Sequence, residues 1–183
     1  ILMPAWRRGF DTPMARRAVL VGLGFSLLGD IFLLWPNEGF LPGLVSFLLA
    51  HLAYLVAFTR EQRFGARPSA FVFYAVVAGA VLALLWRGVP EALRLPVIAY
   101  VVCLAAMAAQ AAVLWLAQPD SPRHRGLAIG GALFVASDAL LATNRFLVPV
   151  PLAGLWILST YWIAQWLIAS WLVPERRGAA TSP

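Results

Sequence analysis

Asp30 and Asp138 are the residues of this chain whose type and setting point to chemistry. Asp30 follows Gly29 inside the apolar run LVGLGFSLLGDIFLL at 20–34, and Asp138 follows Ser137 inside LAIGGALFVASDALLAT at 127–143. A carboxylate at the centre of a membrane helix costs about 2.5–3.5 kcal/mol on insertion scales, so a chain that keeps one uses it for pairing, transport or chemistry. The other six acids, Asp11, Glu38, Glu61, Glu91, Asp120 and Glu175, fall outside or at the edges of the apolar runs, and no arginine lies within a span to neutralise the pair. Two close carboxylates in a poorly solvated site cannot both ionise easily, so they are expected to share a proton and to offer an acid and a base together. Such a site suits delivery of a proton to an unreactive substrate while water is activated. The plainer alternative is that each acid is a hydrogen bonder in helix packing.

Further polar residues accompany them. His51, in FLLAHLAYLVAF, is the sole histidine in an apolar run, and it reads equally as a packing residue or as a proton partner. Tyr54 lies about one turn further on; Tyr161 and Gln165, four apart, share a helix face, so all three either line a cavity or bond between helices. Asn144 and Arg145 follow the Asp138 run at its outer end, close to Asn37 and Glu38. Arg145 either holds a lipid phosphate or snorkels to the interface. The lone Cys103 excludes an internal disulfide and reads as a small buried hydrophobe. There is no His or Cys cluster, no HExxH and no Walker-type loop, so neither metal nor cofactor is expected. GLGFS at 22–26 is explained by helix packing.

The elements that must position these groups follow from composition. Of 183 residues 62% are apolar and only 12% charged, where soluble domains carry about 25% charged residues; this is an integral membrane protein. Its net charge of +6 is carried by 14 basic residues, all arginine and almost all between apolar runs, which is membrane topology rather than nucleic-acid binding. No secretory signal peptide is visible in ILMPAWRRGF. A helix needs about 20 apolar residues to cross a bilayer, and six runs qualify: 18–35, 39–58, 69–86, 96–116, 127–143 and 148–173. Short connections rich in Pro, Gly, Arg and Asn separate them, so residues 1–183 read as a single transmembrane helical domain, an all-α polytopic bundle.

Arginine placement supplies the orientation. With six crossings, one side receives Arg7, Arg8, Arg16, Arg17, Arg60, Arg63, Arg67, Arg123, Arg125, Arg176 and Arg177, and the other only Arg87, Arg94 and Arg145. Both termini are therefore expected in the cytoplasm. Trp6, Trp35, Trp86, Trp115 and Trp171 fall near the expected interfaces, and Trp156, Trp162 and Trp166 within the last run. Asp30 and Asp138 lie twelve and eleven residues into two runs of the same direction, hence about 17–18 Å from the cytoplasmic edge and at one depth. Gly29 and Ser137 are small enough to let helices approach there.

FSLLGDIFLL, GFLPGLVSFLLAHLAYLVAF, LFVASDALLATNRF and YWIAQWLIAS, in that order, resemble the YhhN-type lysoplasmalogenase family of membrane hydrolases over roughly 18–58 and 127–170. The resemblance implies a hydrolase that cleaves the vinyl-ether bond of a lysoplasmalogen into a fatty aldehyde and a glycerophospho-headgroup. Its partners are then a lysophospholipid, water and membrane lipids, with no nucleic acid, in what is expected to be a bacterial inner membrane. Carried over residue by residue, Asp30 and Asp138 match the family's acidic pair, and Ser137, His51, Tyr54, Asn144, Phe146, Tyr161 and Gln165 match further motif positions. Members usually have eight spans, so the resemblance implies two more upstream than are read here.

Other functions keep intramembrane acids too. A proton-coupled transporter would show broken helices in inverted repeats. An intramembrane aspartyl protease would carry Tyr-Asp and Pro-Ala-Leu signatures, which this chain lacks. A membrane scaffold would turn the two acids to separate helix contacts.

Overall fold

The computed structural model describes residues 13–35 and 38–173. Trp6, Arg7, Arg8, Asp11, Asn37, Glu175, Arg176 and Arg177 of the sequence reading lie outside the described residues. The rest forms α1 (Pro13–Leu33), α2 (Phe40–Thr59), α3 (Pro68–Leu85), α4 (Glu91–Ala117), α5 (Pro122–Phe146) and α6 (Ala153–Ser170), with a 3-10 turn at Trp86–Gly88. No strand occurs among the described residues. Lipid offers the backbone no hydrogen-bond partner, so each apolar run satisfies its own N–H and C=O groups as helix.

Helix ends depart from the apolar runs for identifiable reasons. Pro13, Pro68 and Pro122 open α1, α3 and α5, a position where the missing N–H costs nothing. Helix α5 gains a further cap where the Ser121 side chain accepts from the His124 N–H. Helix α4 was expected to begin at Pro96 and instead begins at Glu91, with Pro96 carried inside its second turn. Helix α6 begins later than its apolar run because Pro149 and Pro151 keep the approach extended, and Leu152 turns the chain at φ 55°.

Four helices, α2 to α5, are long and apolar enough to cross a membrane. Arg16 and Arg17 near the start of α1, and Ser159, Thr160 and Gln165 in α6, make those two helices more polar. Large apolar side chains nevertheless face outward on them, Leu27 at 61%, Trp162 at 63% and Trp166 at 66% exposed. An all-α membrane bundle presents such a surface to lipid.

Each helix reverses the direction of the one before. Phe40, Gly88 and Phe146 meet at one end, where Phe40 and Phe146 pack edge to face at 5.5 Å. Phe58 and Trp171 meet at the other, together with a buried pair in which His124 Nε2 lies 2.7 Å from Glu61 Oε1. At that second end the fully buried Gln110 donates to the carbonyls of Gln62 and Arg63 and accepts from the Gly65 N–H. Helix α1 packs on α2, α5 on α6, and α4 is in contact with α2, α3 and α5.

Small residues set the closest approaches. The Tyr54 ring lies where a Cβ on Gly22 would stand and the Phe47 ring where one on Gly29 would, so α2 seats two aromatic rings against the α1 backbone. Gly131 does the same for α4, against Ala108 and Ala111. At Gly88 the neighbour is the Phe146 carbonyl oxygen, 1.7 Å from the position of an added Cβ, and a backbone cannot swing aside. Gly88→Ala is expected to lower stability by about 1–3 kcal/mol, the usual range for overpacking. Gly79→Ala, which meets nothing within 4 Å, is the control expected to change little in thermal unfolding of the detergent-solubilised protein.

Candidate active site

The two aspartates are each held by a tyrosine from another helix. On α1, Asp30 Oδ2 accepts from the Tyr161 hydroxyl of α6 at 2.9 Å. On α5, Asp138 Oδ2 accepts from the Tyr100 hydroxyl of α4 at 2.5 Å. Asp30 is seventeen residues from the start of α1 and Asp138 sixteen from the start of α5, about 25 Å in each case. Both helices start at the same end of the bundle, so the carboxylates stand at similar depth, each past the middle of its helix. Among the described residues no hydrogen bond joins the two carboxylates directly.

Aromatic rings fill the interval instead. Phe134 packs on Tyr161 at 5.5 Å and on His51 at 4.6 Å, and His51 packs on Tyr100 at 5.2 Å. Phe47, seated on Gly29, reaches Tyr161 from the other side at 5.9 Å. Both phenols that hold the acids are thereby fixed in orientation by one cluster. His51 lies at its centre, fully buried, and neither ring nitrogen meets a protein donor or acceptor.

A second line of polar groups leads to Asp30. Ser26 Oγ lies 3.3 Å from the Tyr54 hydroxyl, which donates to Gln165 Oε1 at 2.7 Å. Gln165 Nε2 donates to the Tyr161 hydroxyl at 3.1 Å, and Tyr161 donates onward to Asp30. Every donor from Tyr54 onward points toward the carboxylate, so this arrangement presents Asp30 with a pure acceptor's role.

Asp138 has different surroundings. It lies in the wall of a narrow cavity lined by α2 to α5, and apart from Asp138, Tyr74 and Tyr100 every lining side chain is hydrocarbon. Asp30 is not among the lining residues, although Leu33 and Phe47 beside it are.

Some sequence candidates stand apart from this constellation. Ser137 is buried and donates to the Ile157 carbonyl, which joins α5 to α6. Asn144 Oδ1 accepts from the Val150 N–H and so shapes the connection before α6. Arg145 lies over the Phe40 ring at 5.1 Å. Tyr54, Tyr161 and Gln165 bond to one another, and Phe146 closes the far end of the cavity. Sequence reasoning missed Tyr100, Ser26, Phe47 and Phe134. The signal for Tyr100 was present, because a phenol in the middle of an apolar span must find a partner for its hydroxyl. Among the described residues there is no group of three or more His, Cys, Asp or Glu side chains close enough to hold a metal.

The YhhN family model matches residues 2–172. The chain belongs to the YhhN family. Among its relatives in that family, Lysoplasmalogenase TMEM86A of Homo sapiens is 39% identical over 171 residues, 90% of this chain and 68% of the relative. Lysoplasmalogenase TMEM86B of Homo sapiens is 36% identical over 149 residues, 78% of this chain and 58% of the relative. The membrane protein YhhN of Escherichia coli O157:H7 is 26% identical over 144 residues, 79% of this chain and 68% of the relative. No solved structure matches the chain.

The line from Ser26 to Asp30 makes a stability prediction. Gln165→Leu takes from the Tyr54 hydroxyl its 2.7 Å acceptor and leaves it only Ser26 at 3.3 Å, at a cost of about 1–3 kcal/mol for a buried group left short of a partner. Adding Tyr54→Phe to that variant removes the weakly partnered hydroxyl and is expected to restore part of the loss, read as the midpoint of thermal unfolding in detergent.

Proposed function

We propose that this YhhN-family membrane protein hydrolyses the vinyl-ether bond of lysoplasmalogens, with Asp138 as the proton donor and Asp30 as the standing carboxylate. The observation that carries the reading is a carboxyl group in the wall of an apolar cavity, held by one phenol, with a second carboxyl at similar depth held as an acceptor by another. Relatives named lysoplasmalogenases over most of the chain support the substrate class.

A vinyl ether resists nucleophiles and yields to acid. Asp138 gives its proton to the outer alkene carbon, which leaves an oxocarbenium ion and an ionised Asp138. Asp30, which accepts from the Tyr161 hydroxyl, serves as the carboxylate that stabilises the cation and takes a proton from the water that adds to it. The hemiacetal collapses when Asp138 removes its hydroxyl proton and Asp30 returns a proton to the leaving glycerol oxygen. One water is consumed, both carboxyls regain their starting states, and a fatty aldehyde departs. Tyr100 and Tyr161 orient the two acids throughout. His51 keeps the phenols apart as a packed ring.

A transporter would require helices interrupted near mid-membrane, whereas the six helices here run continuously, Pro96 included. The arrangement of the arginines supports both termini in the cytoplasm, and the single domain would lie in a bacterial inner membrane.

Purified protein incubated with a lysoplasmalogen is expected to release fatty aldehyde. Asp138→Asn and Asp30→Asn should each lose about 10²–10⁴-fold in turnover, the usual worth of a positioned acid or base. Tyr100→Phe and Tyr161→Phe should lose less, with the fold retained by circular dichroism. Normal turnover in either asparagine variant would remove the two-acid mechanism.

A further inference from the structure

We propose that the cavity beside Asp138 is a slot for the substrate's single hydrocarbon chain, that the alkene lies at Asp138, and that the slot gauges chain length. The inference rests on the hydrolase reading for the identity of the lipid and on the cavity for its orientation.

Charge decides which end of a lysolipid can enter. Asp138 is the only charged residue in the lining, and it is an acid. A phosphate placed deeper in the cavity would be stripped of water with no cation to pair it, whereas a hydrocarbon chain loses nothing there. The headgroup therefore stays outside these apolar walls, and the chain takes the longer arm of the cavity, from the acid toward Leu85, Val89 and Phe146. An alkenyl chain has its reactive double bond next to the glycerol oxygen, so this direction brings the bond to Asp138 and Tyr100 whatever the chain's length.

The walls give the slot a definite length. On α5 the lining extends from Val135 to Phe146 and on α3 from Tyr74 to Leu85, eleven residues in each case or about 16 Å, with Asp138 about one turn from the Val135 end. Its far end is closed by well-fixed groups. Leu85 and Val89 are each 3% exposed, Phe146 packs on Phe40, and the Gly88 backbone abuts the Phe146 carbonyl. Midway the room exists because Ala78 on α3 and Ala142 on α5 carry only methyl groups. Ala142 is one turn beyond Asp138.

The test is the dependence on chain length. With lysoplasmalogens of graded length, kcat/KM of the native protein, referred to the monomeric substrate free in water, is expected to rise about fourfold per added methylene, the equivalent of ~0.8 kcal/mol per buried CH₂, and then level off when the slot is full. Ala142→Phe fills existing space and should move the plateau to shorter chains, with the loss growing as the chain lengthens. Ala78→Phe, from the opposite wall, should do the same. Equal loss at every length in both variants, or no change in the profile, would overturn the gauge. Binding of saturated 1-alkyl-ether lysolipids, which cannot be protonated to an oxocarbenium ion, is measured in parallel. If these bind with the same length profile and the same shift in the variants while no lysoplasmalogen is cleaved, the hydrolase reading fails and the slot stands. Affinity independent of chain length overturns the slot whatever the turnover.

Discussion

A carboxylate surrounded by hydrocarbon has to be given hydrogen-bond donors, and in this protein tyrosines from neighbouring helices provide them. Tyr161 reaches Asp30 across the α6–α1 boundary, and Tyr100 reaches Asp138 between α4 and α5. These two bonds tie together helices that are far apart in the chain. The donor phenols are in turn held by rings, with Phe134 touching Tyr161 and His51 touching Tyr100. The acids can be kept in the bundle only because this aromatic cluster keeps the hydroxyls aimed at them.

Hydrophobic burial contributes little to bringing helices together in lipid, so association depends on close fit and on the hydrogen bonds between them. The α1–α2 contact shows how the fit serves the site. Gly29 gives up its side chain to seat Phe47, Phe47 then packs on Tyr161, and Tyr161 holds the carboxylate of the very next residue, Asp30. Backbone, ring and acid form a closed loop. The polar line through Tyr54 and Gln165 adds a directional bias that Asp138 lacks, which is why two chemically identical side chains take different parts in the reaction proposed.

Much of this could be read before any coordinates. Apolar run length reports helices directly in a membrane protein, because lipid leaves the backbone no other solution; all six helices were placed, with errors only where prolines and polar turns govern the ends. Asp30 and Asp138 stood out because charge is rare inside such runs. What stayed hidden was partnership. Nothing local in IAYVV says that Tyr100 faces Asp138 rather than lipid, since a helix with apolar residues on every side gives no periodicity to orient it. The direct pairing of the acids was expected from their equal depth, but depth leaves rotation about the helix axis undetermined, and rotation is what turns each carboxyl to a phenol. Ser137 and Asn144 entered as motif positions, and nothing in the sequence showed that their side chains bond to the Ile157 carbonyl and the Val150 N–H.

The two ends of the bundle are bound by different kinds of contact. At the end where the chain passes from α2 to α3, the Glu61–His124 pair and the bonds of Gln110 cross between elements in a buried setting. At the opposite end, Phe40, Phe146, Leu85 and Val89 meet through hydrocarbon contact. Prising apart the first end strands polar groups, whereas loosening the second only exchanges one greasy neighbour for another. That second end is therefore held shut by fit, by the Phe40 and Phe146 rings and by the Gly88 backbone against the Phe146 carbonyl, so a change of shape there does the damage that a lost partner does at the other.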